Sequence, residues 1–133
     1  MRQAEDVFRD YTDVSSEVAR DGGKSPERLT PYLSKVEYIG DAAGAKRIAN
    51  RHYRAVGKYE ARNFTPQMVD AASGELRAYV CLDSSNAGFV DAHGNSVQSR
   101  AVTAERTVLV TFRREGQRLI IDRNETWSGN SVC

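Results

Sequence analysis

The residues able to do chemistry are few and scattered. The chain holds two histidines, His52 and His93, and two cysteines, Cys81 and Cys133. A general base or a metal ligand works only where partners converge on it. His52 falls in a stretch of helical spacing, where an imidazole is far more often packed or solvated than catalytic. His93 sits in the turn-like run Asp91-Ala92-His93-Gly94-Asn95, and a metal there would need ligands brought in from elsewhere. No HExxH, GxSxG, CxxC, Walker A or GxGxxG run occurs, so no resident metal and no cofactor is expected.

The remaining candidates are Tyr11, Tyr32, Tyr53, Asp122, Arg123, Glu125 and Trp127. Strand alternation sets Arg123, Glu125 and Trp127 on one face, with Asp122 and Asn124 on the other. Arg123 and Glu125 read first as a surface ion pair rather than a catalytic dyad. Phe8, Tyr11, Tyr32, Phe112 and Trp127 have core-facing spacing, which points to packing before ligand binding. Asn63-Phe64-Thr65 and Asn124-Glu125-Thr126 match glycosylation sequons and are given no weight.

The cysteines are too few for a structural zinc site. Cys133 is the last residue, and a free thiol at a mobile terminus would be a chemical liability. A bridge to Cys81 would tie the tail to the body of the fold. Closing a loop of about 50 residues would stabilise the chain by about 4 kcal/mol on the chain-entropy model. Such a bridge implies an oxidising compartment.

Composition bounds the partners. A net charge of +1, with Lys and Arg spread along the chain, gives no electrostatic footprint for nucleic acid. A length of 133 residues suits one domain spanning the whole chain, with a real core. No apolar run approaches the roughly 20 residues that cross a bilayer. Met1 is followed by Arg2-Gln3-Ala4-Glu5-Asp6, a polar helix start and not an export signal. The protein is therefore either cytoplasmic, or secreted or membrane-anchored through a leader removed upstream.

The elements that must position these residues follow from the spacing. Ala4, Val7, Phe8, Tyr11, Val14 and Val18 recur at helical steps until Asp21-Gly22-Gly23. Ser25-Pro26-Glu27 starts a second, short helix, which Thr30-Pro31 interrupts. Ser34-Lys35-Val36-Glu37 matches a capping box and predicts a third helix to about Val56, with Val36, Ile39, Ala43, then Ala45, Ile48, Ala49, His52 and Val56 at helical spacing. Beyond Gly57 the period becomes two. Strands are predicted at 58–64, ended by Thr65-Pro66, at 74–83, at Phe89-Val90, at 104–113 and at 117–127, with a hairpin at Glu115-Gly116. Leu76, Ala78, Val80 and Leu82 oppose Arg77, Tyr79, Cys81 and Asp83; Val108, Val110 and Phe112 oppose Thr107, Leu109 and Thr111. Helices followed by strands mean an α+β fold, here three N-terminal helices packed on a curved antiparallel sheet.

Several segments together resemble a group of small actinobacterial secreted or lipid-anchored proteins of the NTF2-like (SnoaL-like, cystatin-like cone) superfamily. They are the opening helix into Asp21-Gly22-Gly23, the run Ser25-Pro26-Glu27-Arg28-Leu29-Thr30-Pro31-Tyr32, and Tyr79-Val80-Cys81-Leu82-Asp83 with Val90-Asp91-Ala92-His93-Gly94. The ending adds Leu119-Ile120-Ile121-Asp122, Glu125-Thr126-Trp127-Ser128-Gly129 and the terminal Cys133. The resemblance implies an extracytoplasmic location behind an export signal or anchor, and the same cysteine pairing. It also implies a cone whose open end is a default small-ligand site. Tyr11, Tyr32, Arg123, Glu125 and Trp127 are the expected lining.

The leading expectation is a non-catalytic cell-envelope module that binds a small apolar ligand or an envelope protein. One alternative is an isomerase or hydratase with a buried acid–base residue in the cone. The other is a component of a secretion or conjugation assembly, a homodimer through the open sheet face.

Overall fold

The computed structural model describes residues 1–97 and 104–133. The opening helix, α1, spans Arg2–Arg20 and buries Ala4, Phe8, Tyr11 and Val18, as its spacing predicts. It stops at Asp21, where Gly22 and Gly23 both take positive φ. Gly23 lies so close to the Ala45 carbonyl that any side chain there would collide with it. The turn thus brings the start of the chain against a second helix, α2, Lys35–Asn50. Ser34 caps that helix, its Oγ accepting the Glu37 N–H at 3.2 Å.

The described residues hold two α-helices, not three. The predicted short helix is one 3-10 turn, Pro26–Leu29, because Pro31 follows too soon for an α-helix to propagate. α2 also ends earlier than its spacing suggests. His52 adopts a left-handed φ of 56°, and the next residues leave the helix as strand β1, Arg54–Gly57. β1 pairs antiparallel with β4, Ala87–Val90, in a small two-stranded sheet. Gly57, at φ 72°, sits against the Asn86 carbonyl where a Cβ has no room.

The main sheet is antiparallel in the order β2-β3-β5-β6. Its strands are β2, Glu60–Asp70, β3, Glu75–Asp83, β5, Glu105–Glu115, and β6, Arg118–Thr126. β2 runs past Pro66, the stop that the sequence predicts. It is an edge strand, where a missing N–H breaks no ladder, and two register shifts around Asn63 and Pro66 absorb the distortion.

One sheet face meets α1 through Ala78, Val80, Val110, Phe112 and Ile121, which cluster with Ala4 and Phe8 in the core. The other face carries Tyr79, Cys81 and Thr107. The C-terminal tail lies across it. Val132 donates its N–H to Thr107 Oγ1 at 3.0 Å, and Asn63 Nδ2 donates to the Val132 carbonyl at 2.9 Å. Cys133 closes a disulfide to Cys81 with Cα atoms 5.1 Å apart across 52 residues. The tail therefore occupies part of the face through which a homodimer is expected.

The free edge of β6 is covered locally. Ile121 donates its N–H to the Tyr32 carbonyl at 2.8 Å and accepts from the Ser34 N–H at 2.9 Å, forming a single parallel bridge. This bridge delivers the first turn of α2 to the sheet edge.

Candidate functional site

Where α1, α2 and β6 meet, four polar side chains converge. Glu37 and Asp41 are four residues apart on α2, so both carboxylates face the same way, toward the sheet edge. Tyr11 comes from α1 and donates its hydroxyl to Asp41 Oδ2 at 2.6 Å. Asn124 comes from β6; its backbone N–H donates to Glu37 Oε1 at 3.4 Å, and its side chain tempers the rise in the Tyr11 pKa.

Burial governs the acid–base character of this group. It drives the Tyr11 phenol far above its ordinary range, and the Asp41 charge adds to the push. Burial also raises Asp41, against the lowering effect of the Tyr11 hydrogen bond. Glu37 is raised by burial first and by the neighbouring carboxylates, against the Asn124 N–H. The arrangement can hold a proton among its carboxylates more tightly than water would. Its visible work is structural, since it joins two helices to the last strand.

The expected lining residues divide. Tyr11 is buried in the cluster, and half-buried Tyr32 packs on the core beside it. Arg123, Glu125 and Trp127 do not line the inner face. Arg123 pairs in register with Thr111, and Glu125 with Leu109, on the outer face. There Arg123 and Glu125 form an exposed ion pair at 3.6 Å. Trp127 packs against Tyr79 with the rings tilted at 48° and their centroids 5.1 Å apart. The alternation was read correctly, but periodicity does not say which face turns inward. Asp122 is the extra residue of a bulge between Thr111 and Phe112, and it accepts from Arg113 Nε at 3.0 Å.

The other candidates serve local structure. His52 and Tyr53 border a broad cleft that also includes Asp21, Arg28 and Asp91. Asp21 is paired with Arg28 at 3.0 Å, and Asp91 accepts the His93 and Asn95 N–H groups at 2.9 and 3.0 Å within its turn. Among the described residues, Cys81, Glu105 and Cys133 are the one trio close enough to hold a metal, and its two sulfurs are joined in the disulfide.

Sequence reasoning missed Glu37, Asp41 and Asn124. The i, i+4 carboxylate pair was a signal, but the apolar spacing of Val36, Ile39 and Ala43 with Ala45 and Ile48 outweighed it. The structure keeps Ala45 and Ile48 of that set inward but turns Val36, Ile39 and Ala43 out. Val36 and Ile39 are 76% and 68% exposed. They border a groove of about 640 Å³ with Leu33, Tyr38 and Arg113.

No protein-family model matches the chain, and no curated protein matches it. Among solved structures, the chain is similar to the intermembrane space region of the chloroplast protein ARC6. The TM-score is 0.72 at 14% identity, and the match covers 94% of each chain. It is also similar to Aln2 from a Streptomyces species, with a TM-score of 0.56 at 13% identity, covering 93% of this chain and 86% of that one. At these identities the likeness speaks for the fold alone: an α+β domain with its antiparallel sheet backed by helices.

Proposed function

We propose that the chain is a non-catalytic, NTF2-like module that works outside the cytoplasm by binding an envelope protein through the outward side of α2. The observation that carries this is the inverted first half of α2. α2 turns Glu37 and Asp41 inward and leaves Val36 and Ile39 in water, an arrangement that folding alone does not reward. Apolar residues beside a groove gain their burial only when a partner covers them. The extracytoplasmic part rests on the Cys81–Cys133 bridge.

The enzyme alternative draws less support. The raised carboxylates are engaged with Tyr11 and Asn124. Beside the α2 groove, Asp122 and Glu115 are both paired with Arg113.

The test is photocrosslinking in the producing cell, with a benzophenone side chain at position 39 and, for comparison, at the exposed Val69 of β2. A discrete protein adduct from position 39 that Val36→Glu removes, with none from 69, is expected. Equal, diffuse labelling from both positions would overturn the binding surface. In the same cells, alkylation of either cysteine before reduction would overturn the location.

A further inference from the structure

A cleft of about 250 Å³ lies beside the C-terminal half of α1, next to the small sheet. Ser16 and Ala19 line it from α1, Ala55 from β1, Ala87 and Phe89 from β4, and Tyr59 from the link between β1 and β2. None of the expected cone-lining residues borders it, nor does the Tyr11–Asp41 cluster. The walls are more apolar than polar: alanine methyls and the Tyr59 and Phe89 rings are joined by Ser84 and Ser85. The charged residue of the lining, Lys58, is exposed.

Ser16 sets this cleft apart. It is 4% exposed, and its Oγ has no hydrogen-bond partner among the described residues. A helical Ser or Thr ordinarily turns its hydroxyl back to a carbonyl three or four residues earlier. Thr12, one turn before, does so, with Oγ1 donating to the Arg9 carbonyl at 2.9 Å. Ser16 makes no such bond. Buried hydroxyls are nearly always satisfied, so an idle one bordering a cleft marks the place where a guest's polar atom belongs.

We infer that this cleft binds a small, uncharged, mainly apolar molecule whose one polar group hydrogen-bonds to Ser16 Oγ. A cavity of about 150 Å³ accepts a benzene ring. Scaled by volume, this cleft takes a guest of about ten non-hydrogen atoms. The guest is neutral because the deep hydroxyl offers no compensating charge, and a buried ion would be left unpaired. The inference stands apart from the α2 surface, and either can fail alone.

The probes are p-cresol, a ring with a hydroxyl, and toluene, the same ring without one. Each is titrated into the 15N-labelled full chain and followed by amide shifts. Saturable p-cresol shifts centred on Ser16, Ala55 and Phe89 are expected, with weaker toluene shifts at the same residues. Ser16→Ala should weaken p-cresol binding about tenfold, the loss of one hydrogen bond, and leave toluene unchanged. Ala19→Phe, which fills the cleft, should abolish both. No saturable shifts at these residues in the unmodified chain would overturn the inference. So would shifts centred elsewhere, or an equal loss of both probes in Ser16→Ala.

Discussion

The two helices of this domain solve opposite problems. α1 behaves as an amphipathic surface helix should, with Phe8 and Ala4 wholly buried and its charges in water. α2 is turned over in its first half. Only Ala45 is fully buried along its length, Glu37 and Asp41 look inward, and Val36 and Ile39 look out. α1 is held by hydrophobic burial, which is strong and non-directional. α2 adds to the lesser packing of Ala45 and Tyr38 a cap, a carboxylate on a strand N–H and a tyrosine hydroxyl, which are weaker and directional. The contrast ties the first helix to the core and leaves Val36 and Ile39 of the second in water.

The largest test of this contrast is Phe8→Ala. The ring is fully buried between α1 and the sheet, in contact with Tyr11 and Phe64. Its removal should cost about 3–5 kcal/mol in urea unfolding. A loss under about 1 kcal/mol would mean that α1 is not the principal packing helix. Next in size is Tyr11→Phe, which cuts the hydroxyl tie between the helices and leaves the Asp41 carboxylate short of a donor. A hydrogen bond to a charged group contributes about 1.5–3 kcal/mol. The loss should be larger at neutral pH than in acid, where Asp41 is protonated. A pH-independent loss would show that the ring environment, not the tie, is responsible.

The same contrast explains what could be read in the residues and what could not. α1, β3 and β5 were legible because their apolar residues recur at one clear period, although Cys81, Thr107 and Thr111 on the second face of the sheet are buried as well. The terminal bridge was legible from thiol chemistry. α2 was misread because Val36, Ile39 and Ala43 look like an inner face, and nothing local reveals that Ser34 docks on β6 and rotates the helix. Pro66 was read as a stop because an edge position is a property of the sheet, not of the strand. Tyr11 was singled out, but its partners Asp41 and Asn124 lie 30 and 113 residues away and meet it only after folding.

The pH dependence of stability separates the buried carboxylates from the exposed ones. Burial raises Asp41 and Glu37, so the folded chain holds their protons more tightly than the unfolded chain does. Their contribution is fully present below the ordinary carboxylate pKa and is lost as pH rises through the raised values. Asp70 and Asp83 are lowered by hydrogen bonds from Ser73 and Ser85, and theirs is lost as pH falls. Asp41→Asn, which keeps an acceptor for Tyr11 without the charge, should raise the melting temperature at neutral pH. The gain should vanish below about pH 4, where the wild-type aspartate is neutral. Melting curves from about pH 3 to about pH 8 decide it. A constant offset across that range would mean that the charge on Asp41 costs the fold nothing.

The smallest effect is the sharpest. Val36→Ala with Ile39→Ala removes two β-branched side chains from the exposed side of α2. Since those side chains are mostly in water, little burial is lost. Alanine is the better helix former by a few tenths of a kcal/mol at each position. The double variant should therefore be as stable as the parent, or more stable by about 0.5 kcal/mol, in urea unfolding. Its sign is opposite to that of Phe8→Ala, although both trade a large apolar side chain for a methyl group. A loss above about 1 kcal/mol would mean that Val36 and Ile39 already pack within the isolated chain. The two helices would then be alike, and α2 would have no unmet apolar surface for a partner to cover.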